Sequence, residues 1–203
     1  MNNYLEKSIR NAYPSGLIYE LDEDVITNKE RDARLWTVID SCLKECKLEC
    51  KVTLWSGSRY YEVVMTQKDH PDFNSQWISR MTNEDKINWI KNNGPYPVFW
   101  LKISRVDDYY IYHYNHWIPK GNTGYLDAKC DIQPNLIWLG YETFIKTELE
   151  KFGFKFLTAE LACEPVSFVL EGVAIPNDDP RWDDDEFEPP LVTSDVYECL
   201  FHI

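Results

Sequence analysis

The stretch VFWLKISRVDDYYIYHYNHW, residues 98–117, decides the fold. Its halves, 98–104 and 108–117, are rich in β-branched and aromatic residues, and a tight turn near Asp107 makes them neighbouring strands. Side chains alternate along a strand, so Tyr110, Tyr112, Tyr114 and His116 share one face of the second half. Ile111, His113, Asn115 and Trp117 share the other. Both faces are aromatic and neither is wholly apolar. Such a strand is either central with both faces covered, or it turns one face outward for recognition.

Working outward, 51–55 and 59–65 read as a second hairpin about Ser56-Gly57-Ser58. A helix over 28–48 precedes it, with Thr27 and Glu30 as a capping box. Leu35, Trp36, Ile39, Cys42, Leu43 and Cys46 recur along one side of that helix. A shorter helix over 82–93 has Thr82 and Asp85 as cap partners and ends at Gly94-Pro95. On the other flank, 119–134 reads as a loop containing Gly121, Gly124 and two prolines. The helix 139–152 turns Tyr141, Phe144, Ile145, Leu149 and Phe152 inward and stops at Gly153. Segments 154–161 and 166–173 read as a closing strand pair, turning at Glu164-Pro165. A short N-terminal helix is followed by a strand over 16–21. The pattern predicts a single α+β domain over 1–203, with an antiparallel or mixed sheet and the helices 28–48 and 139–152 packed on one face.

The chain has 203 residues, with 21 Lys and Arg against 34 Asp and Glu, for a net charge of −13. That balance opposes phosphate-backbone binding and an anionic membrane surface, so neither nucleic acid nor membrane is an expected partner. It leaves cationic partners open: a basic protein, a polyamine or a metal ion. No apolar run approaches the ~20 residues of a membrane helix. The N-terminal residues lack a signal-peptide pattern, and six cysteines without an export signal point to reduced thiols in the cytoplasm.

Charge is concentrated near the C-terminus. Residues 177–190 hold Asp178, Asp179, Asp183, Asp184, Asp185, Glu186 and Glu188 against Arg181 alone. Pro180, Pro189 and Pro190 resist regular structure there. The following segment, 191–203, is apolar enough to dock on the body, which makes 177–190 a loop held at both ends. Trp182 and Phe187 are aromatic anchors among the acids, the arrangement by which interfaces concentrate their energy. The alternatives are a solvated loop that aids solubility and a cation site. The run lacks the spacing and glycine of a calcium loop.

Other constellations read as structural. Cys42, Cys46 and Cys50 drift along one side of a helix with no second pair to complete a metal site. His113 and His116 fall on opposite faces of a strand. Cys199 and His202 lie in no motif that makes a nucleophile and base. No glycine-rich phosphate loop or hydrolase elbow is present, so the sequence predicts no catalytic residues, cofactor or metal.

The acidity, the aromatic strand Tyr109-Tyr110-Ile111-Tyr112-His113-Tyr114 and the acid-rich Asp183-Asp184-Asp185-Glu186 together resemble the bacterial immunity proteins of polymorphic toxin systems. The resemblance implies one-to-one binding of a toxin domain, blocking its active site or an essential surface. Asp178, Asp179, Trp182, Asp183, Asp184, Asp185, Glu186, Phe187, Tyr110, Tyr112 and Tyr114 are the expected contacts. Two rivals remain open: a small enzyme or cation-binding protein using the acidic loop, and an adaptor module using the aromatic strand.

Overall fold

The structure is a computed structural model that describes residues 1–18, 20–46, 48–54, 58–67, 82–121, 123–130, 136–172 and 191–201. In chain order the elements are α1 (Asn3–Ala12), α2 (Glu23–Ile26), α3 (Lys29–Glu45), β1 (Leu48–Thr53), β2 (Tyr60–Gln67), α4 (Asn83–Asn93), β3 (Tyr96–Ser104) and β4 (Tyr109–Pro119). They continue with β5 (Leu126–Cys130), α5 (Leu136–Lys151), β6 (Lys155–Phe156), α6 (Ala159–Ala162), β7 (Pro165–Gly172), β8 (Leu191–Asp195) and α7 (Val196–Phe201). The fold is α+β.

Five strands run antiparallel in the order β1-β2-β3-β4-β5, and β6 joins the sheet parallel to β4. The 98–117 stretch forms the centre as expected, with Phe99 opposite Tyr114 and Leu101 opposite Tyr112. β4 is the longest strand, and its far edge serves two partners. Asn115–Pro119 pairs with β5, while Tyr109 and Tyr110 pair with β6.

Helices α3 and α5 cover one face. Leu35, Val38, Ile39 and Cys42 of α3, and Trp138, Ile145 and Leu149 of α5, pack on Val63, Phe99, Leu101 and Tyr110. Trp138 and Phe99 are fully buried, their ring centroids 5.7 Å apart. Truncating such a ring costs about 3–5 kcal/mol. Trp36 and Leu43, expected on the inner side of α3, are exposed instead. The buried set follows the i, i+3, i+4, i+7 stripe from Leu35, and Trp36 lies one residue out of phase with it.

The cap of α3 is Asn28 rather than Thr27, its side chain accepting from the backbone of Glu30 and Arg31 at 3.1 and 3.0 Å. The α4 cap is as read: Thr82 and Asp85 bond reciprocally to each other's backbone. Four expectations change. The 119–134 loop contains β5, because Gly121 and Gly124 take positive φ and turn the chain back along β4. The 154–161 strand shrinks to β6, and Thr158 caps the short helix α6 in its place. β7 then pairs with β8, not with its predecessor. The N-terminal strand over 16–21 is a single parallel bridge, Leu17 to Leu170.

A second core lies at one end of the sheet. Leu5, Ile9 and Tyr13 of the N-terminal region meet Val166 and Val169 of β7 and Cys199, Leu200 and Phe201 of α7. The C-terminal segment thus docks on the body through residues 191–201. The β3–β4 turn lies near the boundary of the two cores and is pinned by charge. Asp108 accepts from Arg31 at 3.0 Å and from Arg34 at 2.8 and 2.9 Å, which ties the hairpin to α3.

Candidate recognition surfaces

The alternation of β4 sends Tyr110, Tyr112 and Tyr114 to the helix-covered face. Tyr110 is fully buried. Tyr112 and Tyr114 are half-buried, and their hydroxyls both donate to Glu142 of α5, that of Tyr112 at 2.5 Å. Burial opposes the charged carboxylate, but the two hydroxyls and Lys146 outweigh it and hold Glu142 below its usual pKa. Burial, followed by the Glu142 bond, pushes both phenols up. The tyrosine row therefore clamps α5 onto the sheet, and Tyr110 has no surface to offer a partner.

The predicted contacts Asp178, Asp179, Trp182, Asp183, Asp184, Asp185, Glu186 and Phe187 lie outside the described residues. Their flanks are described. Gly172 ends β7 and Leu191 begins β8, and the two are paired across the ladder. The two described residues that flank the acid-rich segment thus stand side by side.

The opposite face of the sheet carries a groove that the sequence reading did not find. Across the strands, Lys51 stands opposite Val64, Val64 opposite Trp100, and Trp100 opposite His113. The next row runs from Thr53 through Glu62 to Lys102. Among the described residues, helix α4 covers part of this face, with Ile90 packed on Val64, Tyr96 and Val98. Beside it lies a half-enclosed cavity of about 310 Å³ walled by Trp100, Trp117, Lys51, Lys86 and Glu62, with Tyr125 at the β4–β5 turn. Its aromatic wall is braced from behind. Trp117 stacks on Tyr96 at 6.2 Å between centroids, and Tyr96 meets Trp89 edge-on at 5.6 Å.

The charges on this face are half-buried and interdependent. Burial raises the Glu62 pKa, with Lys102, Trp100 and Lys51 opposing it. Burial lowers that of Lys102, opposed by Glu62. His113 is held below its usual pKa by burial and then by Lys102. His113 and His116 point to opposite faces of β4, as their spacing predicts. Among the described residues no group of three His, Cys, Asp or Glu is placed to hold a metal ion, and no helix is long and apolar enough to cross a membrane.

The Cys199 thiol is buried in the second core, and burial pushes its pKa up to about 12. That is the reverse of what a nucleophile needs at neutral pH. Comparison with known proteins returned no matching family, no matching curated protein and no matching solved structure.

Proposed function

We propose that this protein is a protein-binding inhibitor, an immunity-type protein that neutralises a basic toxin domain in the cytoplasm. The observation that carries the reading is the distribution of charge. A chain of net −13 concentrates seven acids against one arginine in 177–190, and the described residues on either side of that stretch, Gly172 and Leu191, pair with each other. An acidic surface steers a basic partner and complements it at contact. Trp182 and Phe187 supply apolar anchors within the run, and the four consecutive acids Asp183 to Glu186 stand in for the phosphates of the partner's substrate. Cys42, Cys46, Cys50, Cys163 and Cys199 are free thiols, in keeping with a reducing compartment.

The test is affinity capture from the source cell's lysate with elution by a salt gradient. A single basic protein held in stoichiometric amount and released only at high salt is the expected result. Changing Asp183, Asp184 and Asp185 to Asn together with Glu186→Gln should weaken that complex about 100-fold at low salt and flatten its salt dependence. The absence of any stoichiometric basic partner, or equal affinity of the neutralised variant, defeats the reading.

A further inference from the structure

Among the described residues, the charges at the groove on the open face of the sheet are answered within the protein. Lys51 and Glu62 attract each other, Glu62 also stands across the strands from Lys102, and Lys86 has a partner of its own. An ion entering the groove would compete with these attractions and give up its own water. What the described wall offers is an aromatic surface beside mixed hydrogen-bonding groups. The indoles of Trp100 and Trp117 and the phenol of Tyr125, 63% exposed, supply the flat faces. Around them Lys51 donates, Glu62 accepts, and Thr53 and Asn83 can do either. A carboxylate and an ammonium each have several hydrogen-bonding positions, so their mutual attraction leaves capacity for a ligand. A bare aromatic ring would cover these polar groups without replacing their water, which costs affinity. A ligand that suits the whole wall has C–H groups on one flat face and hydroxyls around its edge, since a hydroxyl both donates and accepts. The volume of about 310 Å³ falls at the small end of small-molecule sites.

We propose that this groove binds a neutral sugar, with the C–H face of one pyranose ring against the aromatic wall and its hydroxyls toward Glu62, Thr53 and Asn83. The aromatic faces hold the ring by contact, and the polar groups fix its orientation. The balance between Lys51 and Glu62 sets the preference for a ligand without charge. The site is independent of the inhibitor reading, since it uses no residue of 177–190.

The probes are the methyl pyranosides of glucose, galactose, mannose and N-acetylglucosamine, titrated against the full chain by saturation-transfer NMR. At least one should bind with a Kd on the order of 1–10 mM. The uronate and the amino sugar of that same ring should bind about five-fold more weakly, and benzyl alcohol, a nearly bare ring, not detectably. Two variants, with their folds checked by circular dichroism, probe the two halves of the wall. Tyr125→Ala changes an exposed side chain and should lose about five-fold in affinity. Glu62→Gln leaves Lys51 and Lys102 without their carboxylate, so it should weaken the neutral sugar and gain the uronate. The proposal is overturned if no pyranoside binds at about 50 mM, or if benzyl alcohol or a charged sugar binds at least as tightly as the neutral one. Unchanged affinity in both variants overturns it as well.

Discussion

Glu142 accepts two phenolic hydroxyls at once, and this one side chain explains why the aromatic face of β4 is a packing surface. Glu142→Gln removes the charge and leaves one carbonyl oxygen for two donors, so it should cost about 1–3 kcal/mol at pH 7. The pH dependence has a definite sign. The folded pKa of Glu142 lies below its unfolded value, so its stabilisation is present above the unfolded value and fades as pH falls through the folded one. Urea titrations should show the gap between wild type and variant closing as pH drops from 7 towards about 3. A gap that stays constant with pH would mean the carboxylate charge is not what the tyrosines bind. His113 carries the opposite chemistry. Its folded pKa is depressed, so the unfolded chain takes up protons first and stability falls as pH drops below the usual imidazole value of about 6.5. Alternation along β4 reveals which side chains share a face. It cannot say which face a helix covers when both are aromatic, and Glu142 enters from an element outside the strand. The groove was hidden for a related reason: Lys51, Glu62, Trp100 and Trp117 are brought together only by the register of four strands.

Elements with a strong local signal stand where the sequence places them. The β3–β4 hairpin, α4 with its Thr82–Asp85 cap, and α5 ending before Gly153 at φ 86° each carry their own start or stop. Elements that depend on distant partners do not. β5 is only five residues long and preceded by Gly121 and Gly124, and β6 is two residues that exist as strand because Tyr109 and Tyr110 are there to receive them. The bridge from Leu17 to β7 is likewise a tertiary event. It relies on Gly16, whose φ is 78° and whose backbone lies so close to β7 that an added Cβ would sit 2.9 Å from the Phe168 carbonyl oxygen. Gly16→Ala is therefore expected to cost about 2 kcal/mol or more, combining left-handed strain with that contact, and denaturant titration measures it. Thr82→Ala should cost about 1 kcal/mol through loss of the α4 cap. An unchanged midpoint in either variant would contradict the corresponding geometry.

At the scale of the molecule, the two cores bury their thiols to different purpose than a redox site would. Cys42 lies in the core under α3 and α5, Cys199 in the core under α1 and α7, and burial pushes each up to about 12. Cys163 is exposed. Native-state alkylation followed by mass spectrometry should label Cys163 rapidly, and Cys42 and Cys199 only at the rate of unfolding. If the two cores open independently, Cys199 and Cys42 will react at different rates. Equal rates that track global stability would show that Asp108 and its two arginines couple the cores into one cooperative unit. The net charge of −13 was legible at once as a statement about association, and it carried no information about this internal division.

The pairing of Gly172 with Leu191 has an evolutionary consequence. Because the ladder brings these two residues side by side, connections of very different length can close between them without moving either strand. Closure entropy grows only logarithmically, so doubling such an insertion costs about 0.6 kcal/mol. Length changes between the two strands are therefore expected to leave the β7–β8 ladder in place.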